Sequence, residues 1–278
     1  MRSCLMSAPE RIASRQHPIV RRCREIARRQ GPPELVLLDG EHLVSEALAA
    51  HVRLEAILTD DLGHDVIGRA RVKSIPIHEC TTAVLEAASP ATTPSGMVAI
   101  ASWAPRPLVD VLSKDPALVI ALVDVQDPGN VGGVIRTADA LGATGVIAAA
   151  ASADPAGWKA LRGGMGSTFR IPVARVGAEE LLTEARRRKL LIAATVARGG
   201  QSIQEVDLTT PLLVLLGNEG AGLREDLVVR CDVRLTIPMR DRANSLNVGV
   251  SAALVLWEAQ RQREGAQAAV SSDKRRKH

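Results

Sequence analysis

The sequence predicts an α/β protein with a mostly parallel sheet in its second half and a smaller α/β unit in its first half. Between residues 117 and 264, short runs of Val, Leu, Ile and Ala alternate with segments of helical periodicity. Strands that are apolar throughout and separated by helices are typical of a parallel sheet covered on both faces. The stretch "APRPLVDVLSKDP" carries three prolines and predicts a linker over 105–116.

The first half, residues 8–104, begins with a predicted helix over 11–30. Ile19, Val20, Cys23 and Ile26 recur at helical spacing and form one apolar stripe. A second helix is predicted in "DGEHLVSEALAA". One strand-like segment, "ELVLL", precedes this helix. Three more follow it: "LEAILTDD", "VKSIPIHE" and "MVAIASW".

The second half, residues 117–264, contains six strand candidates in a row: "ALVIALVDV", "GVIAAA", "IPVARV", "LLIAATV", "PLLVLLG" and "VRLTIP". The tail over 265–278 is low in apolar residues and ends in "DKRRKH", so we expect a disordered basic tail.

Charge and aromatic content limit the classes of function. The net charge is +4 and the pI about 9.1, which suits a nucleic-acid partner without requiring one. A basic cluster near the start supplies four candidate RNA contacts, Arg21, Arg22, Arg24 and Arg28; the alternative is a solvated helix face. With one Phe, three Trp and no Tyr, stacking of bases on aromatic rings cannot be the main binding device.

Cysteine spacing and hydropathy exclude several other classes. The four cysteines are scattered without a CxxC pair, so we expect no metal site and a reducing compartment. No apolar run reaches the length of a membrane span, and the first residues lack the core of a signal peptide. We therefore expect a cytoplasmic protein without a membrane partner.

Three polar loops, each after a predicted strand, are the candidate functional site: "DPGNVGG", "GNEGAGL" and "IPMRDRANSLNVGVSAAL". The carboxyl ends of parallel strands share one edge of a sheet, where ligands bind, so these loops should form one mouth. Their spacing matches neither GxGxxG nor GxxxxGK[ST], which disfavours a dinucleotide or a phosphate-loop site.

Polar side chains in these loops are candidates for chemistry. Asn130 is predicted to cap its helix, and Arg136 lies off the buried stripe of that helix. Because long side chains lean back over the preceding turn, and that turn contains two glycines, the guanidinium should emerge near Asn130. Glu219 can hold a cation or a donor. Ser245 is the predicted cap of the last helix, and Asn247 should point into the same mouth.

The last helix is also predicted to carry one apolar stripe. Its members are Leu246, Val250, Ala253, Leu254 and Trp257.

The stretches "DPGNVGGVIRTADALG", "LLGNEGAGL" and "SLNVGVSAAL" together resemble the SpoU (TrmH-like) family of RNA ribose 2'-O-methyltransferases, within the SPOUT superfamily. "LLDGEHLVSEAL" resembles the ribosomal-protein-like RNA-binding domain often attached to these enzymes. The resemblance implies a C-terminal trefoil knot, S-adenosylmethionine as cofactor, a homodimer, and ribosomal RNA as substrate, with transfer RNA as the alternative.

The resemblance also assigns residues. It implies catalytic roles for Asn130, Arg136, Glu219, Ser245 and Asn247. It implies cofactor contacts for Leu216, Gly217, Asn218, Ile237, Met239, Ser245 and Leu246. Where the family usually has a glycine after "IPM", this chain has "RDRAN", and Arg240 and Arg242 there would suit an RNA substrate.

In the implied reaction a ribose 2'-oxygen attacks the sulfonium methyl group, without a metal or a covalent intermediate. Arg136 would act as the base in a strongly perturbed state, or it would stabilise the developing charge while another group takes the proton. Two rival hypotheses are a non-catalytic RNA-binding or ribosome-assembly protein of this fold and a nicotinamide-dependent oxidoreductase. The latter lacks its glycine fingerprint here.

Overall fold

The computed structural model describes residues 11–240 and 245–276, with the backbone alone for 267–276. The chain forms two compact units. The first contains the residues up to Ala104 together with Ala156–Phe169, and the second contains Pro105–Pro155 and the residues from Arg170 onward. The boundary after 104 was predicted, but the contribution of Ala156–Phe169 to the first unit was not. We call this segment the arm.

The first unit is built on a four-stranded sheet with the order β1-β4-β2-β3. Strand β4 runs antiparallel to β1 and β2, and β3 runs parallel to β2. The strands are β1 (Leu35–Asp39), β2 (Arg53–Thr59), β3 (Ile77–Glu79) and β4 (Met97–Ser102). The helices are α1 (Pro18–Ala27), α2 (Glu41–Ala49), α3 (Asp65–Val72), α4 (Thr82–Ala88) and, in the arm, α7 (Trp158–Gly164), which a 3-10 turn (Ser167–Phe169) follows.

Alternation along the strands divides the core of this unit between the two faces of the sheet. In β1, Val36 and Leu38 join the cluster that contains α2, α3 and the arm, whereas Leu35 and Leu37 join the cluster that contains α1 and α4. The predicted stripe of α1 is confirmed, since Val20, Cys23 and Ile26 are all buried.

The second unit is built on a seven-stranded sheet with the order β7-β6-β5-β10-β8-β11-β9, and every adjacent pair is parallel. All six predicted strands are present, and the two-residue β9 was missed. The strands are β5 (Leu118–Val123), β6 (Gly145–Ala149), β7 (Val173–Val176), β8 (Leu191–Thr195), β9 (Gln201–Ser202), β10 (Leu212–Leu216) and β11 (Val233–Thr236). The helices are α5 (Leu108–Val111), α6 (Pro128–Ala140), α8 (Ala178–Arg187), α9 (Glu225–Val228) and α10 (Val248–Arg276).

Two sequence predictions about irregular segments were wrong. The predicted linker, 105–116, contains α5, and its Leu108, Val111 and Leu112 are buried in the core of the second unit because apolar residues at this spacing form one helical face. The predicted disordered tail from 265 instead continues α10 to Arg276, in keeping with its alanine content. The last two residues of that tail lie outside the described residues.

Candidate active site

Four loops meet at the carboxyl edge of the parallel sheet, after β5, β8, β10 and β11. Three of them surround a cavity of about 410 Å³. Its walls come from residues 195–197 and Ile203, from the loop 217–223, and from Ile237, Met239, Ser245 and Leu246, which lie between β11 and α10. A volume of this size is in the range of small-molecule sites.

The first of the three polar loops of the sequence follows β5 and leads into α6. Asp127 caps this helix by accepting a hydrogen bond from the backbone N–H of Gly129 at 2.7 Å, so the prediction of Asn130 as the cap was wrong. Pro128 at the first helical position, which favours a cap just before it, is the signal that was overlooked. Asn130 lies in the first turn, and its side chain is therefore free to reach the other loops.

Arg136 lies two turns further along α6. The buried stripe there is the predicted one, Val131, Val134, Ile135 and Ala138, and Arg136 is exposed. Its side chain makes no hydrogen bond or ion pair with the described residues, and it does not line the cavity. Its predicted place beside Asn130 therefore stays a prediction.

The second loop, 217–223, is a tight turn in which residue 217 must be glycine. A β-carbon there would lie 2.3 Å from the carbonyl carbon of Gly222 and 2.4 Å from the nitrogen of Leu223. The backbones of Asn218 and Gly222 exchange hydrogen bonds of 3.2 and 2.9 Å. The Asn218 amide fixes the turn from both sides, since it donates to the carbonyl of Asp124 at 3.0 Å and accepts from Gly220 at 2.9 Å.

The third loop leads into α10, whose cap is Asn247 and not Ser245. The carbonyl oxygen of the Asn247 side chain accepts from the backbone N–H of Gly249 at 2.8 Å. Ser245 is two residues too early to cap a helix that starts at Val248, although it lines the cavity as predicted.

The predicted apolar stripe of α10 is not its buried face, because the helix carries two apolar faces. The face that is buried consists of Val248, Ala252, Val255, Leu256 and Ala259. Val250, Leu254 and Trp257, which belong to the predicted stripe, are exposed by 47%, 38% and 62%.

A chain of hydrogen bonds joins the loops that follow β5, β10 and β11. The amide nitrogen of Asn130 donates to the Glu219 carboxylate at 2.7 Å, and its oxygen accepts from the amide of Asn247 at 3.1 Å. Glu219 and Asn247 lie 89 and 117 positions after Asn130 in the sequence. The prediction that the loops form one mouth is confirmed for these side chains.

All seven predicted cofactor residues line the cavity: Leu216, Gly217, Asn218, Ile237, Met239, Ser245 and Leu246. Glu219 lines it as well. The sequence reasoning missed the wall formed by Thr195, Val196 and Ala197. The signal was available, because the carboxyl-edge argument applies equally to the strand in "LLIAATV".

The candidate RNA-binding arginines differ in whether their side chains already have partners within the protein. Arg22 forms an ion pair with Glu55, and Arg24 donates to the carbonyl of Ala87 at 2.6 Å, so both stabilise the first unit. Arg21 and Arg28 are exposed, and their side chains make no hydrogen bond or ion pair with described residues; the same holds for the side chain of Arg240. Arg242 lies outside the described residues.

Among the residues that the structure describes, no group of three or more His, Cys, Asp or Glu side chains could hold a metal ion. Within 11–240 and 245–276, no helix is both long and apolar enough to cross a membrane.

Comparison with protein families assigns each half of the sequence. Residues 117–257 match the model of the SpoU rRNA Methylase family, and residues 9–115 match that of the thiostrepton-resistance methylase N terminus. The chain belongs to the SpoU rRNA methylase family. The three loops of the cavity all derive from the part that matches the SpoU model.

Relatives of this SpoU family member include methyltransferases of ribosomal RNA. It is 32% identical over 227 residues to the 23S rRNA (guanosine(2553)-2'-O)-methyltransferase RlmP of Bacillus subtilis, which covers 80% of this chain and 86% of the relative. It is 42% identical over 142 residues to the 23S rRNA (uridine(2479)-2'-O)-methyltransferase of Streptomyces viridochromogenes, which covers 49% and 50%.

Solved structures agree with this membership. An AdoMet-bound rRNA methyltransferase from Sinorhizobium meliloti superposes with a TM-score of 0.80 at 28% identity, covering 91% of this chain and 97% of that one. The AviRb SpoU methyltransferase from Streptomyces viridochromogenes, in complex with AdoMet, has a TM-score of 0.76 at 28% identity, covering 88% and 99%.

Proposed function

We propose that this protein transfers the methyl group of S-adenosylmethionine to the 2'-hydroxyl of a ribose in ribosomal RNA. The single observation that carries the proposal is the meeting of Asn130, Glu219 and Asn247 at the rim of the cavity lined by all seven expected cofactor residues. Membership of the SpoU family and the named activities of its relatives agree with it.

The cavity fits the proposed cofactor. Leu216, Ile237 and Leu246 offer apolar surface for a nucleoside. The turn after Gly217 adds backbone groups to the cavity wall, and it can close this tightly because Gly217 has no side chain to push the backbone of Gly222 away. S-adenosylmethionine supplies an already activated methyl group, so the protein has to provide position and charge management.

The residues of the mouth fit the remaining chemistry. The ribose oxygen gains a bond to carbon as the sulfonium–carbon bond breaks, and its proton must leave. A guanidinium keeps its proton in proteins, so we assign Arg136 to stabilising the charge that develops on the oxygen. The exposed carboxylate of Glu219, oriented by Asn130, is the group of the network that can accept the proton.

The assignment of Arg136 is tested by Arg136→Ala. Losing one electrostatic donor costs about 3–4 kcal/mol, which corresponds to at least about a hundredfold lower single-turnover rate. The affinity for S-adenosylmethionine should stay within about twofold, since Arg136 does not line the cavity. Arg106→Ala, which removes another exposed arginine of the second unit, is the control. Normal turnover of Arg136→Ala would refute the assignment.

The substrate is tested by incubating the protein with radiolabelled S-adenosylmethionine and total RNA, followed by mapping of the labelled ribose. Label at a 2'-oxygen of ribosomal RNA is expected. Label in transfer RNA alone would show that transfer RNA is the substrate. Binding of the cofactor without labelling of any RNA would favour a non-catalytic ribosome-assembly protein.

We extend the proposal to a homodimer that covers the exposed stripe Val250, Leu254 and Trp257. These residues recur at helical spacing on the side of α10 opposite its buried face, and apolar side chains of this size are seldom left together in water. Trp257→Arg should convert a dimer to a monomer in sedimentation experiments. Val229→Arg, at a lone exposed valine, should not. A wild-type protein that is monomeric at micromolar concentration would contradict the dimer.

The trefoil knot, the RNA-binding role of the first unit and a cytoplasmic location complete the proposal. The knot is supported by the cavity, which Ala197, Gly217 and Leu246 line although they are far apart in sequence. When both ends of a knotted chain are pulled apart, its final length stays below that of a fully extended chain, and a full-length trace would exclude the knot.

A further inference from the structure

The arm is a part of the SpoU-matching sequence that the proposed reaction leaves without a role. It carries two cations, Lys159 and Arg162, and no acidic residue. It also holds Trp158, one of four aromatic residues in the chain. The Lys159 ammonium lies 5.5 Å from the centre of the Trp158 ring.

One side of the arm is fixed by a buried ion pair. Arg162 donates to the Asp39 carboxylate at 3.1 Å, and the hydroxyl of Ser89 donates to its other oxygen at 2.9 Å. The Asp39 side chain is fully buried, whereas that of Arg162 is 44% exposed. Burial raises the pKa of Asp39, and the Ser89 hydrogen bond and Arg162 oppose this. Buried ion pairs are seldom retained for stability, and orienting a group is one established use.

A second anchor lies one turn further on. Gly166 has a φ of +87°, and a β-carbon there would lie 2.5 Å from the β-carbon of Glu46 in α2. Leu161 and Ala156 are buried in the same core cluster as α2. The arm is therefore held on the "LLDGEHLVSEAL" segment, whose Asp39 and Glu46 supply both anchors.

The outer side of the arm has the chemistry of an RNA contact. Lys159 is exposed, Met165 is 38% exposed, and Trp158 is half-buried outside the core clusters of this unit. Arg162 uses one nitrogen for Asp39, which leaves further N–H donors facing water. Phosphates are held by such cations, and unpaired bases stack on aromatic rings.

We propose that the arm is an additional RNA-contacting surface, in which Lys159 and Arg162 bind phosphates, Trp158 stacks on an unpaired base, and Asp39 positions Arg162. Binding exchanges the weak contact between Lys159 and the Trp158 ring for one phosphate contact and one stacked base. The inference rests on the proposed RNA substrate but not on the details of the reaction.

The test compares Lys159→Glu with Lys114→Glu, an equal charge change at an exposed lysine outside the arm. The probe is an in vitro transcript of 23S rRNA with the full-length protein. Lys159→Glu should raise the KM for RNA about tenfold and make the salt dependence of binding shallower by about 0.7–0.9 in log–log slope, the loss of one phosphate contact. Cofactor affinity should not change. Equal KM values for the two variants would overturn the inference, as would be seen if the surface served a protein partner.

The positioning role of Asp39 is tested by Asp39→Asn, which keeps the shape and the Ser89 contact. The expected result is a raised KM for RNA with unchanged kcat and unchanged cofactor affinity, a split that a loss of folding would not produce. Wild-type KM in Asp39→Asn would remove Asp39 from the inference. Failure of the proposed function is distinguishable, because the wild-type protein would then methylate no RNA at all.

Discussion

Replacing Gly217 by alanine tests whether the tight turn holds the cofactor. Ordinary contacts of a β-carbon begin at 3.4 Å, and this one would lie 2.3 Å from the backbone of Gly222, so the facing chain must retreat by about 1 Å. That movement breaks the two backbone hydrogen bonds between Asn218 and Gly222. At about 0.5–1.5 kcal/mol each, the binding-competent turn is disfavoured by about 1–3 kcal/mol.

The apparent Kd rises as the inverse of the fraction of molecules that hold the competent turn. For Gly217→Ala we therefore expect Kd for S-adenosylmethionine to increase about 5- to 150-fold. Equilibrium dialysis with labelled cofactor measures it, and circular dichroism checks that the sheet is intact.

Gly220→Ala is the matched control within the same turn. Its β-carbon would lie 3.5 Å from the nearest atom, the side-chain oxygen of Asn218, which is an ordinary contact. Its Kd should stay within about twofold of wild type. Wild-type affinity in Gly217→Ala, or equal losses in both variants, would refute the steric argument.

Three further predictions concern stability. Arg263→Ala should lower the free energy of unfolding in urea by about 2–4 kcal/mol, because the guanidinium donates to four backbone carbonyls; a change below 0.5 kcal/mol would contradict this. Asn247→Ala should cost about 1 kcal/mol in thermal unfolding as a lost cap, while Ser245→Ala should cost nothing. Because burial raises the pKa of Asp39, its contribution to stability is fully present below its ordinary value of 3.8 and is lost as pH rises through the raised value. Asp39→Asn should flatten this part of the pH dependence in urea unfolding, and an unchanged profile would contradict it.

The polar mouth could be predicted from the sequence because the argument needed strand direction alone. Apolar strands separated by helices imply a parallel sheet, and its carboxyl edge then collects Asn130, Glu219 and Asn247. The same argument applies to Thr195, because the loop after β8 starts at the same edge and contains the pair Gly199 and Gly200, but this loop was not included in the prediction.

Features that depend on a partner surface could not be read from periodicity. In α10 both apolar faces have helical spacing, and packing against α6 decides which of them is buried. Asp39 and Arg162 are 123 positions apart in the sequence, so no local sequence pattern predicts their ion pair. The position of Asp127 as the cap was predictable from Pro128.

The side-chain amide of Asn247 has two roles. Its oxygen caps α10 by accepting from Gly249, and its nitrogen donates to the side chain of Asn130. Aspartate would keep the first task and lose the second, because it lacks the donor. Selection for a sturdier helix and selection for faster turnover therefore act on the same few atoms. Evolution at this position has little freedom to improve one property without disturbing the other.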